Sequence, residues 1–237
     1  MKVIRFRVEG YFNSFRVPFF RTYHKTFLAP PKTTIVGMLC NISLKSEKEF
    51  FEILDKELIE VSVIIDEIVG KSKDLWSYKT KDKKNRGKSV IRRDKLFMPS
   101  YIIYLAIKDE NLYQEILDGL KSPKNTPSLG LDDELVLIKD VAEIKISNNK
   151  TDRIDSLFLN RLGNYRGYVK DITKVIELPT ANVTPTKFIG YDKKGKQISR
   201  EVKEEFLQIE FINCEIEFEE SVKSFVDDEL KHRLVFY

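Results

Sequence analysis

Between Tyr11 and Phe27 the chain reads YFNSFRVPFFRTYHKTF, which sets Arg16, Arg21 and Lys25 among Tyr11, Phe12, Phe15, Phe19, Phe20, Tyr23 and Phe27. Single-stranded RNA is held through its phosphates by Lys and Arg, while its splayed bases stack on aromatic rings or guanidinium planes. Both kinds of group are present here. Core burial accounts for most of the phenylalanines, but it does not account for Arg16 and Arg21. An arginine is rarely buried alone, so each must meet a carboxylate or face an anion. Lys32, Thr33 and Thr34 follow at the start of a helix, where backbone N–H groups favour a phosphate and where Thr is equally at home as an N-cap.

A second cationic stretch lies far away in sequence. From Lys71 to Lys95 there are eight Lys and three Arg, the latter Arg86, Arg92 and Arg93, against Asp74, Asp82 and Asp94. Residues 1–32 carry seven Lys and Arg against Glu9 alone. Because the whole chain is only +4, the remainder is net acidic, the distribution of a polyanion site on an acidic body. Trp76 and Tyr78 are the aromatics of this stretch, and Arg92, Arg93 and Lys95 stand at its base. The functional expectation is that the two stretches converge on one cleft.

Other chemistries are sparsely provided for. The chain has two histidines, His24 and His232, and two cysteines, Cys40 and Cys214, with no CxxC spacing. No metal, cofactor or disulfide is therefore expected. General acid–base work near neutral pH usually calls on histidine. His24 lies in the aromatic-basic stretch and is read as an RNA contact; His232 is read as a surface residue. No run of 18 uncharged apolar residues exists and the start is strand-like, so a soluble cytoplasmic protein without a membrane partner is expected.

The elements that must position these residues follow from periodicity. Residues 2–9 alternate Ile4, Phe6 and Val8 with Val3, Arg5 and Arg7, predicting a strand with one wet face. KTTIVGMLCNIS predicts a helix with Ile35, Met38, Leu39 and Ile42 on one stripe, Val36 widening it, and Thr33 or Thr34 as N-cap. Gly37 costs that helix about 1 kcal/mol relative to Ala; close packing on a sheet is the expected cause, with close passage of RNA the alternative. A second helix spans EKEFFEILDKEL, residues 59–69 form a strand, and the basic stretch of about 70–95 is a long hairpin or loop. Residues 101–107 form a strand and about 110–120 a helix with Leu112, Ile116, Leu117 and Leu120 inward. Ser128-Leu129-Gly130 is a turn that presents backbone to a nucleic acid or simply reverses the chain, and residues 135–147 are a strand bent near Asp140. The order β, α with an extra helix, β, β, α, β is ferredoxin-like, RRM-like in class, an α+β fold. From about residue 149 shorter β-like runs (KVIEL, KFIGYD, FLQIEFINCEIEF) predict a smaller β-rich part, so domains of 1–148 and 149–237 are expected.

Three segments, in order, resemble the fifth family of CRISPR-associated (Cas) proteins, a member of the RAMP superfamily of ferredoxin-like RNA binders. They are the opening strand through YFNSFRVPFF to TFLAPPKTTIVGML, then VIRRDKLFMPSYIIYLAI, then TPSLGLDDEL, spanning residues 1 to about 140. The resemblance implies a subunit of type I Cascade that holds the repeat-derived 5′ handle of the crRNA. It also implies contacts with the backbone subunit and the large subunit, proximity to target DNA near the PAM, and a thumb-like hairpin, for which residues 70–95 are the suitable segment. The RNA-binding set is then Arg16, Arg21, His24, Lys25, Lys32, Thr33, Thr34, Trp76, Arg86, Arg92, Arg93, Lys95, Ser128, Leu129 and Gly130. Members from type I-C systems are metal-independent ribonucleases relying on a Lys-His pair and a Tyr. The mid-chain pair has no counterpart here, since no His lies between His24 and His232, and a non-catalytic role is expected. Repeat-specific endoribonuclease activity through His24, or another RNA partner for a ferredoxin-like domain, are the alternatives.

Overall fold

The computed structural model describes residues 1–20, 22–79, 87–169, 180–185, 188–191, 197–202 and 206–237. The molecule is a mixed α/β protein dominated by sheet, with three α-helices among the described residues. Strand β1 (Lys2–Gly10) lies between β4 (Lys88–Ile107) and β5 (Val136–Lys145), and β4 also pairs with β3 (Ile59–Lys79), every pairing antiparallel. The short β2 (Phe12–Asn13) adds to the same sheet beside Phe97 and Leu96. The predicted bend near Asp140 is present: Asp140 has φ 53° and the β1–β5 register shifts between Arg5 and Arg7.

Helices α1 (Lys32–Ile42), α2 (Glu47–Asp55) and α3 (Glu110–Lys121) bury the predicted apolar stripes, Ile35, Val36, Met38, Leu39 and Ile42 in α1 and Leu112, Ile116, Leu117 and Leu120 in α3. Asp109 caps α3 by accepting from Leu112 N. A capping box of Ser46 and Glu49 starts α2, where two otherwise orphaned N–H groups find acceptors. α1 differs from expectation. Its N-cap is Pro31, without a side-chain cap, so Thr33 and Thr34 lie inside the first turn and neither is the cap.

Residues beyond β5 build further antiparallel strands: β6 (Ser147–Ile154), β7 (Phe158–Leu159), β8 (Tyr165–Val169), β9 (Thr180–Pro185), β10 (Phe188–Tyr191), β11 (Gln197–Val202), β12 (Phe206–Phe211), β13 (Glu215–Val226) and β14 (Arg233–Leu234). The KVIEL run lies outside the described residues. Asn148 and Asn149 sit within β6 and pair with β13. This part shares a core with the first: Phe27 stacks on Phe211 at 5.2 Å, and Val61 and Tyr237 exchange backbone hydrogen bonds of 3.1 Å in both directions.

The predicted wet face of β1 is largely covered. Val3 is fully buried in a second apolar cluster with Tyr104, Ile144 and Leu234. Arg5 is tied to Asp227 at 2.7 Å and to Glu229 at 2.8 Å. β13, β14 and the residues around them supply this cover, which a pattern read over eight residues could not anticipate. His232 is part of it and is not a surface residue: its Nδ1 shares a 2.8 Å hydrogen bond with the Tyr104 hydroxyl, which also bonds Asp227. Among the described residues no helix is long and apolar enough to cross a membrane.

Candidate nucleic-acid interface

The basic stretch is a two-stranded ribbon. β3 and β4 continue past the sheet and stay paired from Gly70–Phe97 to Lys79–Lys88; the tip, with Arg86, lies outside the described residues. Alternation divides the ribbon into two faces. One carries Asp74, Trp76 and Tyr78 with Ile91, Arg93 and Lys95; the other carries Lys73, Leu75 and Lys79 with Lys88, Val90 and Arg92. Gly87 at the return has φ 68°, a conformation that suits glycine.

The aromatic-basic stretch folds against this ribbon as a hairpin. Val17 N donates to Lys25 O at 2.9 Å and Phe27 N to Phe15 O at 2.8 Å. Its returning limb runs parallel to β4, with His24 N donating to Arg92 O and Asp94 N donating to His24 O, both at 2.8 Å. The two cationic stretches are therefore joined by backbone hydrogen bonds, and the expected convergence is present. Arg21 lies outside the described residues.

A cleft of about 340 Å³ opens at this junction, lined by Arg16, His24, Lys25, Trp76 and Arg93 together with Thr33 and Thr34. Arg93 is buried, donates to Asp74 at 2.7 Å and places its guanidinium 4.9 Å from the Trp76 ring centre. That hydrogen bond holds the Asp74 carboxyl below its usual range. Arg92 lies over Tyr23 and Lys25 over Phe20; ring faces attract cations without neutralising them. Among the described residues, Arg16, Lys25 and Arg92 have no carboxylate within ion-pair distance. Burial, followed by the charges of Arg16 and Arg93, lowers the His24 pKa, so its imidazole is neutral at neutral pH.

Of the remaining expected contacts among the described residues, only Gly130 borders this cleft. Lys32 Nζ donates to the main-chain oxygen of Tyr237 at 3.3 Å and does not line the cleft. Lys95 is paired with Glu134 at 3.4 Å. Leu129 is buried; its N–H donates to Glu134 O and its carbonyl accepts from Asn13 Nδ2 at 2.7 Å, so the turn spends its backbone groups internally. The reversing role is the one the geometry supports. Ser128 lines a neighbouring cleft, and Gly130 borders both. Asn13, Ser14 and Glu134, which fasten the turn to β2, carried no sequence signal; their partners lie more than 100 residues away.

Among the described residues no three His, Cys, Asp or Glu side chains gather where they could hold a metal ion. The arrangement can bind anions and stack flat rings, on a sheet-dominated scaffold with an outstretched basic arm. That scaffold is shared with CRISPR-associated proteins of known structure. A chain of a structure described as "CRISPR RNA-guided surveillance complex" superposes with TM-score 0.51 at 16% identity, covering 90% of each chain. A CRISPR protein from Archaeoglobus fulgidus superposes with TM-score 0.53 at 14% identity, covering 99% of this chain and 98% of that one. No curated protein matches the sequence. The family described as CRISPR-associated protein (Cas_Cas5) matches residues 3–178, and the chain belongs to that family.

Proposed function

We propose that the protein is a non-catalytic, crRNA-holding subunit of a type I CRISPR interference complex. It grips the repeat-derived 5′ handle and contacts the backbone and large subunits. The observation that carries this reading is the joining of the two cationic stretches at the His24–Arg93 bridge, which gathers Arg16, Lys25 and Arg93 beside the half-exposed Trp76 ring. Phosphates are held at Arg16 and Lys25, a base lies against Trp76, and neutral His24 supplies a hydrogen bond without adding charge. The strand order β5-β1-β4-β3 with helices in the two crossovers supports a ferredoxin-like RNA-binding sheet. The ribbon is its thumb. Family membership and the fold shared with a chain of a surveillance complex support the place in such an assembly.

Fluorescence anisotropy with repeat-derived RNA tests the grip. Arg16→Ala, at an exposed position, is expected to weaken binding and to lower the slope of log K against log salt by about 0.7, the value for one lost phosphate contact on a single strand. An unchanged slope would remove Arg16 from the interface. Incubation with repeat RNA in EDTA tests the absence of catalysis. No defined product is expected, and a product lost in His24→Ala would establish the ribonuclease reading instead.

A further inference from the structure

Arg93 differs from the other cations of the basic cleft. Its charge is already matched, because Asp74 stands directly opposite it in the β3–β4 ribbon and accepts from its guanidinium at 2.7 Å. Its side chain is also buried, at 5% exposure. Trp76 lies two residues further along β3 and is therefore diagonal to Arg93, the separation over which long and aromatic side chains still meet across a strand pair. The guanidinium carbon is 4.9 Å from the ring centre and covers one face of the indole. Ile91, buried directly opposite Trp76, closes one flank. The rings of His24 and Tyr78 stand nearby, 6.3 and 6.1 Å away between centres. Trp76 nevertheless stays 43% exposed and lines the cleft, so the indole is backed on one face and open on the other side.

The hydrogen bonding of Arg93 adds an independent observation. Its Nε is buried without an acceptor among the described residues. A buried donor left without an acceptor destabilises a fold, and side chains ordinarily turn to avoid it. Here the carboxylate and the ring together hold the guanidinium in an orientation that a purely structural arginine would leave. The ion pair also decides what the surface can bind. Without Asp74 the guanidinium would be a free ligand for a phosphate. With Asp74 in place its charge is matched, and the ring is left as an uncharged surface.

We infer that Asp74 and Arg93 are positioning residues for Trp76. Asp74 fixes the guanidinium, the guanidinium backs one face of the indole, and the indole is thereby held rigid as a stacking surface. Arg93 itself takes no phosphate. The inference rests on the RNA-holding reading above and divides its cleft into two kinds of contact: Arg16 and Lys25 supply a salt-dependent grip, and the backed indole supplies a salt-independent one.

Trp76 is the chain's single tryptophan, so its emission reports on the indole directly. Binding of repeat-derived RNA is followed by anisotropy across a range of salt and by quenching of that emission. Wild type is compared with Asp74→Asn, with the uncharged pair Asp74→Asn and Arg93→Gln, and with Trp76→Leu alone and added to that pair. RNA is expected to quench wild type, and Trp76→Leu to weaken binding about tenfold, the range of one stacked base. The uncharged pair is expected to bind about threefold more weakly and to quench less, with the salt slope unchanged, and to have no further effect once Trp76 is Leu. Asp74→Asn alone is expected to quench less and to steepen the slope by about 0.7, as the released guanidinium takes a phosphate. The inference is overturned if the uncharged pair flattens the slope by about 0.7, which would make Arg93 a phosphate ligand. It is also overturned if the effects of the pair and of Trp76→Leu multiply, or if RNA binds wild type without moving the emission. Should the pair fail to fold, Asp74→Asn, at a side chain 41% exposed, carries the test, and wild-type quenching and slope in that variant would overturn the inference. Failure of wild type to bind the RNA would instead remove the RNA-holding reading itself.

Discussion

Asp227→Ala is expected to destabilise the chain by about 3 kcal/mol, the cost of stripping one partner from a buried ion pair, and to lower the thermal midpoint by roughly 6–12 °C for a chain of this size. Asp227 is 1% exposed and is an acceptor for four donors: Arg5 at 2.7 Å, the Tyr104 hydroxyl at 2.9 Å, and the backbone N–H groups of Glu229 and Leu230 at 2.9 and 3.3 Å. Alanine would leave Arg5 with Glu229 alone and would orphan the two N–H groups. A midpoint drop of less than about 2 °C would show that this network does not hold β13 and β14 onto the sheet.

The same network sets the response to acid. Burial tends to raise the Asp227 carboxyl, but hydrogen bonds from Arg5, Tyr104 and the two backbone groups outweigh it and hold the pKa below its usual value. Burial also lowers the pKa of His232, against the opposing charges of Asp155, Asp227 and Asp66. In both cases the unfolded chain binds the proton more readily, so stability rises with pH and is lost on acidification. The His232 contribution is complete above about 6.5, the unfolded histidine value, and is lost below it. The Asp227 contribution persists to about 3.9 and is lost as pH falls further. His24, also lowered, acts in the upper window. Urea titrations at pH 7 and pH 5 are expected to show a stability loss in wild type that shrinks in His232→Gln and nearly vanishes when His24→Gln is added. An undiminished loss in the double variant would assign the response to carboxylates.

What could be read in the sequence, and what could not, divides by the range of the interactions. The stripes of α1 and α3, the alternation of β1 and the bend at Asp140 are local, set by neighbours within a few residues, and they were legible. The charge segregation was legible too, and its two halves meet where His24 bridges to Arg93 of β4. The β3–β4 ribbon was read only as a hairpin or loop. Both its faces carry polar or exposed residues, Leu75 at 73% and Val90 at 58% exposed, so the apolar alternation that marks a half-buried strand is missing. The direction of Lys32 and the closure of the Leu129 backbone depend on Tyr237, Asn13 and Glu134. No local pattern encodes such distant partners. Gly37 was noticed for its cost to the helix, with sheet packing or the passage of RNA as causes; a Cβ there would meet nothing closer than Phe50 at 3.9 Å, so tight packing is not the cause.

Gly130→Ala tests the distant fastening directly. Gly130 has φ 116°, and a Cβ there would lie 2.2 Å from Glu134 Oε2 and 2.6 Å from the Ser14 carbonyl oxygen, so both backbone strain and collision oppose any side chain. The carboxylate cannot simply retreat, because Glu134 is buried and accepts from Ser14 N and Ser14 Oγ at 2.7 Å each and from Leu131 N at 3.1 Å, while Lys95 lies 3.4 Å away. The substitution is expected to cost at least about 2 kcal/mol. It is also expected to speed hydrogen exchange at the Ser14 and Leu131 amides before any global opening. The loss should extend to RNA, because the turn, the first turn of α1 and the His24 hairpin all line the cleft at which Arg16 sits. A variant that kept wild-type stability and exchange would mean that the turn moves independently of β2, and the cleft would then lack the rigid rim on which a fixed grip on a strand depends.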